Sequence, residues 1–253
     1  MFAIERQQRI LEKLKEDGAV SVSRLSAEFS VAEETVRRDL EKLEKQEKLL
    51  RTHGGAVTID DSKQELSLEK RRKINVEGKE HIAVLAAQLV SPGETIFLDA
   101  STTTFYIARE LKKMKNITVV TNSLQTIEEL AQSNDIKVIG TGGMVGKNAS
   151  FIGSLAENAV REKYVADKIF FSSSGVTADL GVLDSNEQEC TMKKCMMASS
   201  CKKIYVCDRT KIGRIGFAKL SEFDGIDYFI TEKGLDKNFD AIFREAKVKV
   251  IEV

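Results

Sequence analysis

The sequence predicts two structural parts, a small helical domain followed by a larger α/β domain with a mainly parallel sheet. Residues 1 to about 50 show helical periodicity with short breaks, whereas from about residue 80 short β-branched segments alternate with helical stretches. Such alternation is typical of a parallel sheet with helices on both faces. Residues 58–79 are polar and charged with few apolar anchors. We therefore expect domains at 1–57 and 80–253, joined at 58–79 by a linker or an exposed linking helix.

Three short amphipathic helices are predicted in the first domain. Their apolar stripes are formed by Ile4, Ile10, Leu11 and Leu14, by Val22, Leu25 and Phe29, and by Val36, Leu40 and Leu43. Asp17-Gly18 ends the first helix, because glycine suits a left-handed C-cap. A tight break at Ser30-Val31 separates the second helix from the third, which runs from about Glu33 to Glu47. This arrangement suits a helix-turn-helix.

A short β-hairpin is predicted after the third helix, over residues 49–57. Two strands flank Gly54-Gly55, and we expect these glycines to supply the positive φ of a tight turn. A hairpin in this position would form the wing of a winged helix-turn-helix.

The second domain carries seven short strand patterns with helical stretches between many of them. The strands are predicted at Thr95–Leu98, Thr118–Thr121, Lys137–Ile139, Lys168–Phe171, Ile204–Cys207, Tyr228–Ile230 and Val248–Ile251. The helices are predicted at Thr103–Leu111, Ser123–Ala131, Ser154–Arg161, Glu189–Ala198 and Asp236–Glu245. Ligands of open α/β sheets bind at the carboxyl ends of the strands, so a binding site is expected in the loops there.

Composition narrows the classes of function. Hydrophobic residues make up 42% and charged residues 31% of the 253, which fits a globular protein rather than a disordered chain. No apolar run is long enough for a membrane span and the N-terminus lacks the plan of a signal peptide, so a cytoplasmic protein is expected. The four cysteines form no C-x-x-C pair and the chain has two histidines, so neither a metal nor another cofactor is expected.

The outward face of the third helix carries a basic stripe. On a helical wheel, the outward residues are Thr35, Arg38, Lys42 and Lys45, with Arg37 on the flank. Arginine can pair with guanine, and threonine can meet a thymine methyl or a phosphate. Arg51 and His53 of the predicted wing could reach the DNA backbone or the minor groove. The stripe therefore suggests contact with DNA.

A plain solvated helix face is the alternative. The chain has 39 basic and 39 acidic residues, and residues 1–57 hold 11 of each, so charge balance gives no support for DNA. Glu34 and Arg38 also have the spacing of an ordinary i, i+4 ion pair.

The literal residues add to the pattern. Thr35-Val36-Arg37-Arg38-Asp39-Leu40, followed by Leu43-Glu44 and by Arg51-Thr52-His53-Gly54-Gly55-Ala56, closely resembles the signature of the DeoR family of bacterial regulators. The resemblance implies that the third helix enters the major groove, with Thr35, Arg37 and Arg38 as the main DNA contacts. Family members commonly have serine where Ala32 stands, so an N-cap worth roughly 1 kcal/mol is missing. Glu33 and Glu34 would compensate in part through the helix dipole.

The second half resembles the same family over most of its length. This implies a sensor domain with the fold of ribose-phosphate isomerases and related sugar-phosphate enzymes. A phosphate fits the start of the helix after the first strand, where backbone N–H groups and the hydroxyls of Ser101, Thr102 and Thr103 are donors. Asp99, at the tip of that strand, suits a sugar hydroxyl.

Further candidate ligand residues follow other strands. Asn122 and Gly142-Gly143 lie after the next two strands, and the three loops should converge. Glu189 and Lys193 are one helical turn apart, while the family resemblance marks Asp208 and Lys211 as site residues, with Lys211 as the charge for a phosphate. Plainer interpretations stay open: the Ser-Thr-Thr-Thr segment as a helix cap, the glycines as a tight turn, and Glu189–Lys193 as a structural ion pair.

The favoured function is a transcriptional repressor of a carbohydrate-utilisation operon, controlled by a phosphorylated sugar. Expected partners are operator DNA, the sugar phosphate and further copies of the chain in a dimer or tetramer, with no membrane, and no residue is assigned a catalytic role. One alternative is a sugar-phosphate isomerase or deaminase with an added N-terminal domain, in which Asp99, Glu189, Asp208 and Lys211 would supply acid–base chemistry. Another is a protein-binding adaptor.

Overall fold

The computed structural model describes residues 2–17, 19–46, 48–52, 54–57 and 67–253. The chain divides into two compact units, Met1–Gln64 and Glu65–Val253. The sequence places the start of the second domain later, at residue 80, although Gly78 and Lys79 are buried in a helix of the second unit. Because glycine and lysine are not apolar residues, the hydrophobic periodicity of the sequence does not reveal that this end of the helix is buried. Residues 58–66 of the expected linker lie outside the described residues.

Three helices precede a short hairpin in the N-terminal unit. The elements are α1 (Ala3–Asp17), β1 (Ala19–Ser21), α2 (Val22–Phe29), α3 (Glu33–Lys45), β2 (Leu50–Thr52) and β3 (Gly55–Val57). The predicted apolar stripes meet in one core, with Ile10, Val36 and Leu40 fully buried. Ile4 is an exception, with 83% of its surface exposed. Its direction on the helix lies about 120° from that of Ile10, so the two residues do not share a face.

The hairpin belongs to a three-stranded antiparallel sheet with the order β1-β3-β2. The expectation of a positive φ at Gly55 is wrong, since Gly55 is not among the glycines in that region. A Cβ at this position would lie 1.9 Å from the carbonyl oxygen of Val20. Close approach of β1, which the sequence pattern does not indicate, therefore requires the glycine.

The C-terminal unit consists of helices and strands in alternation. Its elements are α4 (Leu68–Lys73), α5 (Val76–Gln88), β4 (Thr95–Leu98), α6 (Thr102–Leu111), β5 (Ile117–Thr121), α7 (Leu124–Leu130), β6 (Ile136–Gly140), β7 (Met144–Val145), β8 (Phe151–Ile152), α8 (Ser154–Lys163), β9 (Ala166–Phe171), β10 (Gly175–Thr177), β11 (Gly181–Asp184), α9 (Glu187–Ala198), β12 (Ser200–Cys207), β13 (Ala218–Ser221), β14 (Tyr228–Thr231), α10 (Asn238–Glu245) and β15 (Lys249–Glu252). The seven predicted strands and five predicted helices are all present, with shifted ends.

Seven strands form one wholly parallel sheet with the order β15-β14-β12-β9-β4-β5-β6. The strand order reverses between β4 and β9. Such a reversal opens a crevice at the carboxyl ends of the two strands, and this is where open α/β sheets bind ligands. The topology therefore selects the loops after β4 and β9 as the centre of a site.

Helices cover both faces of this sheet. On one face α5, α6 and α7 bury Ile82, Ile107 and Leu130. On the other face α8, α9 and α10 bury Val160, Met196 and Phe243. Because both faces are apolar, the polar groups of the unit collect at the strand ends.

Two small antiparallel sheets, which the sequence does not predict, add to the parallel one. They are β10-β11-β13 and the β7-β8 hairpin, whose strands are too short for a clear period-two pattern. The cysteines are unpaired, and Cys201 alone among them is exposed. Within the described ranges, no helix is long and apolar enough to cross a membrane, and no group of three His, Cys, Asp or Glu side chains could hold a metal ion.

Candidate DNA-binding surface and ligand site

The helix α3 exposes most of the basic residues predicted to contact DNA. Its N-cap is Ala32, which makes no side-chain cap, and Glu33 and Glu34 occupy the first turn. Arg37, Arg38 and Lys42 are exposed, whereas Thr35 is half-buried. The basic stripe of the wheel is therefore present on the surface of the folded unit.

Two of these arginines are held by acidic neighbours on the same helix. Arg37 Nη2 lies 2.9 Å from Glu33 Oε2, and Arg38 Nε lies 3.3 Å from Glu34 Oε1. These pairs are open to solvent, and exposed i, i+4 pairs are worth only about 0.3–0.5 kcal/mol. They match the solvated-face interpretation, yet they are weak enough for a phosphate or a base edge to displace.

Arg51, predicted on the wing, lies at the start of the hairpin beside α3. It is exposed, and its backbone N–H donates to Glu44 Oε1 at 3.2 Å. This bond fixes β2 against the second half of α3. His53, the other predicted wing contact, lies outside the described residues.

Asp39, in the middle of the signature segment, does not face solvent. It is 3% exposed, and Arg6 Nε donates to its Oδ2 at 2.5 Å while Gln7 Nε2 donates to its Oδ1 at 2.8 Å. Asp39 therefore ties α3 to α1. Sequence reasoning missed this role, because the wheel marks Asp39 only as a polar residue next to the apolar face.

Asp99 organises the crevice between β4 and β9. Its side chain is fully buried, and Oδ1 accepts from the Ser101 N–H at 3.1 Å and from the Thr104 hydroxyl at 2.8 Å. Oδ2 accepts from the Ser172 N–H at 3.0 Å and lies 3.3 Å from Lys193 Nζ. Protein donors thus occupy the carboxylate on both oxygens. Asp99 joins the two strands at the reversal point, and its contact with a sugar hydroxyl stays a prediction.

The hydroxyl groups at the start of α6 fall into two classes, those that bond to the protein and those that have no partner among the described residues. Ser101 caps the helix, with its Oγ accepting from the Thr104 N–H at 3.2 Å, and the Asp99 carbonyl oxygen, 2.9 Å from Thr104 Oγ1, is an alternative acceptor for the single Thr104 hydroxyl proton. Thr102 and Thr103 are buried at 1% and 0% exposure, and their Oγ1 atoms have no hydrogen-bond partner among the described residues. The first N–H groups of a helix also lack intrahelical acceptors. Capping accounts for Ser101 and Thr104 but leaves Thr102 and Thr103 unexplained.

Asn122 and the glycine loop follow β5 and β6. Asn122 Nδ2 donates to the Phe151 carbonyl at 3.1 Å, while its buried Oδ1 has no donor within the described part of the chain. Gly142 has φ 68° with open space around a hypothetical Cβ. Gly143 has φ 118° and a Cβ there would lie 3.0 Å from Ala156 Cβ. Gly143 is thus required by packing and backbone geometry, and Gly142 by its φ.

A buried charged cluster lies next to Asp99. Lys193 Nζ lies 2.5 Å from Asp184 Oδ2 and donates to the Ser172 carbonyl at 2.9 Å, and Lys193 is 6% exposed. Burial lowers the pKa of Lys193, but the carboxylates of Asp184, Asp99 and Glu189 outweigh it and raise the pKa above its ordinary value. Lys193 is therefore a fixed cation that holds two carboxylates in place.

Glu189, one turn before Lys193, does not form a direct ion pair with it. It accepts a hydrogen bond from the buried hydroxyl of Ser150, which lies at the β8 end of the hairpin loop. Burial raises the pKa of Glu189, although the charge of Lys193 opposes this. The structural ion pair that the spacing suggests is thus replaced by a bond to Ser150.

Asp208 and Lys211 lie on the other side of Ser172. Lys211 Nζ is 3.1 Å from Ser172 Oγ, and the residue is 8% exposed. Asp208 Oδ1 accepts from the N–H of Thr210 at 3.1 Å, whereas its buried Oδ2 has no donor among the described residues. Lys211 therefore reaches the residue that follows β9, and Asp208 keeps one buried oxygen that a ligand could use.

Three site residues were absent from the sequence prediction. Ser172 directly follows β9, so the strand-end rule could have found it, whereas Asp184 ends β11, a strand of the antiparallel sheet that the sequence does not predict. Lys79 of α5 gave no signal, but it is 2% exposed and lies close enough to Asp208 and Lys211 for their charges to act on its pKa. The cluster thus has an acidic part around Asp184 and a basic part around Lys211.

Comparison with protein families identifies both units. Residues 6–62 match the DeoR-like helix-turn-helix domain, and residues 74–233 match the DeoR C terminal sensor domain. The chain belongs to the DeoR family. The sensor match includes every candidate ligand residue from Asp99 to Lys211 as well as Lys79.

Curated DeoR-family relatives match over the whole chain. The HTH-type transcriptional regulator YulB of Bacillus subtilis is 42% identical over 254 residues, which cover 100% of this chain and 98% of the relative. A relative in Escherichia coli O157:H7, named as a transcriptional repressor of the aga operon, is 32% identical over 250 residues, covering 98% of this chain and 93% of the relative. The chain is a DeoR-type transcriptional regulator rather than the enzyme of the first alternative.

A solved structure also resembles part of this DeoR-family chain. The ribose 5-phosphate isomerase of Methanocaldococcus jannaschii aligns with a TM-score of 0.42 and 16% identity, covering 55% of this chain and 56% of the isomerase.

Proposed function

We propose that this regulator represses a carbohydrate-utilisation operon and is controlled by a phosphorylated sugar bound at the reversal point of the parallel sheet. It acts in the cytoplasm as a dimer or tetramer. The observation that carries the proposal is a set of buried polar atoms that have no hydrogen-bond partner among the described residues and that follow strands of the parallel sheet. They are Thr102 Oγ1, Thr103 Oγ1, Asn122 Oδ1 and Asp208 Oδ2.

Buried polar groups normally find partners, because leaving one unsatisfied costs about 1–3 kcal/mol. Four such atoms, on the three segments that follow β4, β5 and β12, are explained by a polar ligand that supplies the missing bonds. Hydroxyl groups of a sugar can donate to Asn122 Oδ1 and Asp208 Oδ2 and accept from the threonines. The hydroxyl groups of a sugar can thus bond both to the acceptor oxygens and to the threonine hydroxyls.

The cationic and N–H groups favour a phosphate on that sugar. Lys211 is nearly buried beside Ser172, and the start of α6 presents N–H groups with the positive end of the helix dipole. A monoanionic carboxylate would use fewer of these donors than a phosphate does. Glu189 and Asp184, with Lys193, supply acceptors for hydroxyls away from the phosphate.

The DNA-binding assignment rests on α3. Arg37, Arg38 and Lys42 are exposed cations of this helix, and Thr35 lies one turn before Arg38. Arginine reads guanine in the major groove and lysine contacts phosphates. In a symmetric dimer, two such helices would lie about 34 Å apart or at a multiple of that distance.

The test is fluorescence anisotropy with DNA from upstream of the protein's own gene, at two salt concentrations, with and without fructose 1-phosphate, glucose 6-phosphate and tagatose 6-phosphate. We expect binding that weakens with salt and changes with one of these compounds. Arg38→Ala should weaken binding about tenfold or more, and Lys42→Ala should reduce the salt slope by about 1. The control is Arg9→Ala on the exposed face of α1, which should leave the affinity unchanged.

Two results would count against the proposal. Absence of binding to any operator fragment would remove the DNA-binding part. If the wild-type protein binds DNA but none of the three sugar phosphates changes the affinity, the proposal of a phosphorylated-sugar effector is wrong.

A further inference from the structure

Lys79 bonds to the helix that begins the C-terminal unit. Its ammonium donates to the carbonyl of Arg71 at 2.6 Å and also to the carbonyl of Ile74. These carbonyls end α4, so the positive charge lies at the negative end of the helix. Among the described residues the third N–H of the ammonium has no hydrogen-bond partner, although Lys79 is 2% exposed.

Apolar packing contributes little to holding the helix α4 in place. None of its residues is buried, so it contributes no side chain to either apolar core. Its described contacts are polar or at the surface: Arg71 Nη2 donates to Asn148 Oδ1 at 2.8 Å, the Tyr106 hydroxyl donates to the Arg72 carbonyl at 3.1 Å, and the Arg72 guanidinium lies 4.2 Å from the Phe105 ring centre. An element held in this way opens at low free-energy cost.

The contacts of α4 and of the turn after it lead to the loops of the ligand site. Phe105 and Tyr106 follow the threonines at the start of α6, and Asn148 lies in the loop before Ser150. Asn75, between α4 and α5, donates to Glu232 Oε2 at 2.6 Å, and the same oxygen accepts from the Arg209 N–H at 2.9 Å. Arg209 is next to Asp208. In chain order, α4 is also the first described element after the N-terminal unit, which ends at Gln64.

We propose that Lys79 is an additional cation for the anionic group of the effector, and that its attraction to that group loosens the carboxyl end of α4. The inference rests on the proposed function, since it requires a phosphorylated ligand between Lys211 and the start of α6. A ligand shifts an equilibrium only if it binds the two states with different affinity. Lys79 supplies that difference because an anion that attracts the ammonium weakens its two bonds to the carbonyls of Arg71 and Ile74.

The charges around Lys79 agree with a role both at α4 and at the anion. Burial lowers the pKa of Lys79 to about 8, Asp208 and Glu232 oppose this, and Lys211 and Arg71 add to it. An ammonium whose charge is this poorly compensated gains from an added anion. Asp208, whose charge acts on Lys79, has one buried oxygen without a donor among the described residues.

Hydrogen–deuterium exchange of residues 67–79 in the full-length protein tests the inference directly. The probes are inorganic phosphate, fructose 1-phosphate, glucose 6-phosphate and tagatose 6-phosphate, each added at saturation. We expect exchange in α4 to become about fivefold faster or more with the probe that alters DNA binding. Unchanged or slower exchange in α4 on binding would overturn the inference without any variant.

Variants separate Lys79 from the rest of the site. Lys79→Met keeps the length of the side chain and removes its charge, so exchange in α4 should be fast already and DNA affinity should no longer respond to the probe. Lys79→Arg keeps the charge and should retain part of the response. The matched control is Lys137→Met on β6, an exposed lysine, which should respond like the wild type.

The outcomes also distinguish this inference from the proposed function. If a probe changes the DNA affinity of the wild type and of Lys79→Met by the same factor, the effector assignment stands and the role of Lys79 is refuted. If no probe changes the wild type, both fail. Loss of the response in Lys79→Met alone, with the control unaffected, supports both.

Discussion

Arg6 of α1 and Asp39 of α3 form a buried ion pair, with Nε and Oδ2 2.5 Å apart. The two residues are 7% and 3% exposed, so neither side chain is available to DNA. Asp39 lies in the signature segment directly after Arg37 and Arg38, which are exposed. One short segment therefore serves two purposes, because alternate faces of the helix meet the core and the solvent.

Asp39→Ala should destabilise the N-terminal unit strongly. The substitution leaves a buried guanidinium without its carboxylate, which typically costs about 3–5 kcal/mol. Urea unfolding followed by hydrogen exchange of residues 3–45 measures the change. Glu33→Ala, which breaks the exposed pair with Arg37, is the control and should cost less than about 1 kcal/mol. Equal effects of the two substitutions would show that the burial of Arg6–Asp39 has no energetic consequence.

Thr103→Val and Thr104→Val should separate binding from stability. Thr103 Oγ1 has no partner among the described residues, so its replacement by an isosteric methyl should leave the free energy of unfolding unchanged or higher. The same change should weaken effector binding about tenfold, because one hydrogen bond to the ligand is lost.

Thr104 is the matched control at the next position. Its hydroxyl bonds to Asp99 and Ser101, so Thr104→Val should cost about 1–3 kcal/mol of stability. Thermal unfolding and calorimetric titration with the active sugar phosphate give the two quantities. A Thr103→Val protein that binds the effector as the wild type does would remove Thr103 from the site.

Lys193→Met should destabilise the C-terminal unit by about 3–5 kcal/mol, because it leaves Asp99 and Asp184 buried without their cation. Denaturant unfolding monitored for that unit provides the measurement. Lys194→Met, at the exposed neighbouring position of α9, should change little. If Lys193→Met were as stable as this control, the cluster would not hold the reversal point together.

Lys79 should make stability depend on alkaline pH in a defined direction. Its pKa is about 8 in the folded protein against an ordinary value of 10.5. Between these values the unfolded chain keeps a proton that the folded protein has lost, so the free energy of unfolding rises with pH. Lys79→Met lacks this contribution.

The difference in unfolding free energy between the wild type and Lys79→Met should therefore move in favour of the wild type from pH about 8 to about 10.5. The charged groups that act on Lys79 are Asp208, Lys211, Arg71 and Glu232, and all are present in both proteins. Their contributions cancel in the comparison as long as the site is otherwise unchanged. A difference that is constant across this window would contradict a lowered pKa.

Periodicity was sufficient for the elements with a strong pattern. The stripe of Val36 and Leu40 identifies α3, and β-branched runs such as Thr118–Thr121 identify the sheet strands. Short elements such as β10 were not predicted, because a strand of three residues shows no measurable hydrophobic period. The α5 face was hidden for a different reason, since its buried positions include Gly78 and Lys79 rather than large apolar side chains.

The sequence by itself determined the family, the two kinds of domain and most strand-end residues, because these depend on local pattern and on a contiguous motif. Only the tertiary structure decided which polar side chains are already used. Asp99 and Thr104 bond to the protein, whereas Thr103 and one oxygen of Asp208 do not, and nothing in their residue types tells them apart. Partners come from distant segments, as Ser172 does for Asp99 and Arg6 for Asp39, so hydrogen-bond satisfaction is a property of the fold.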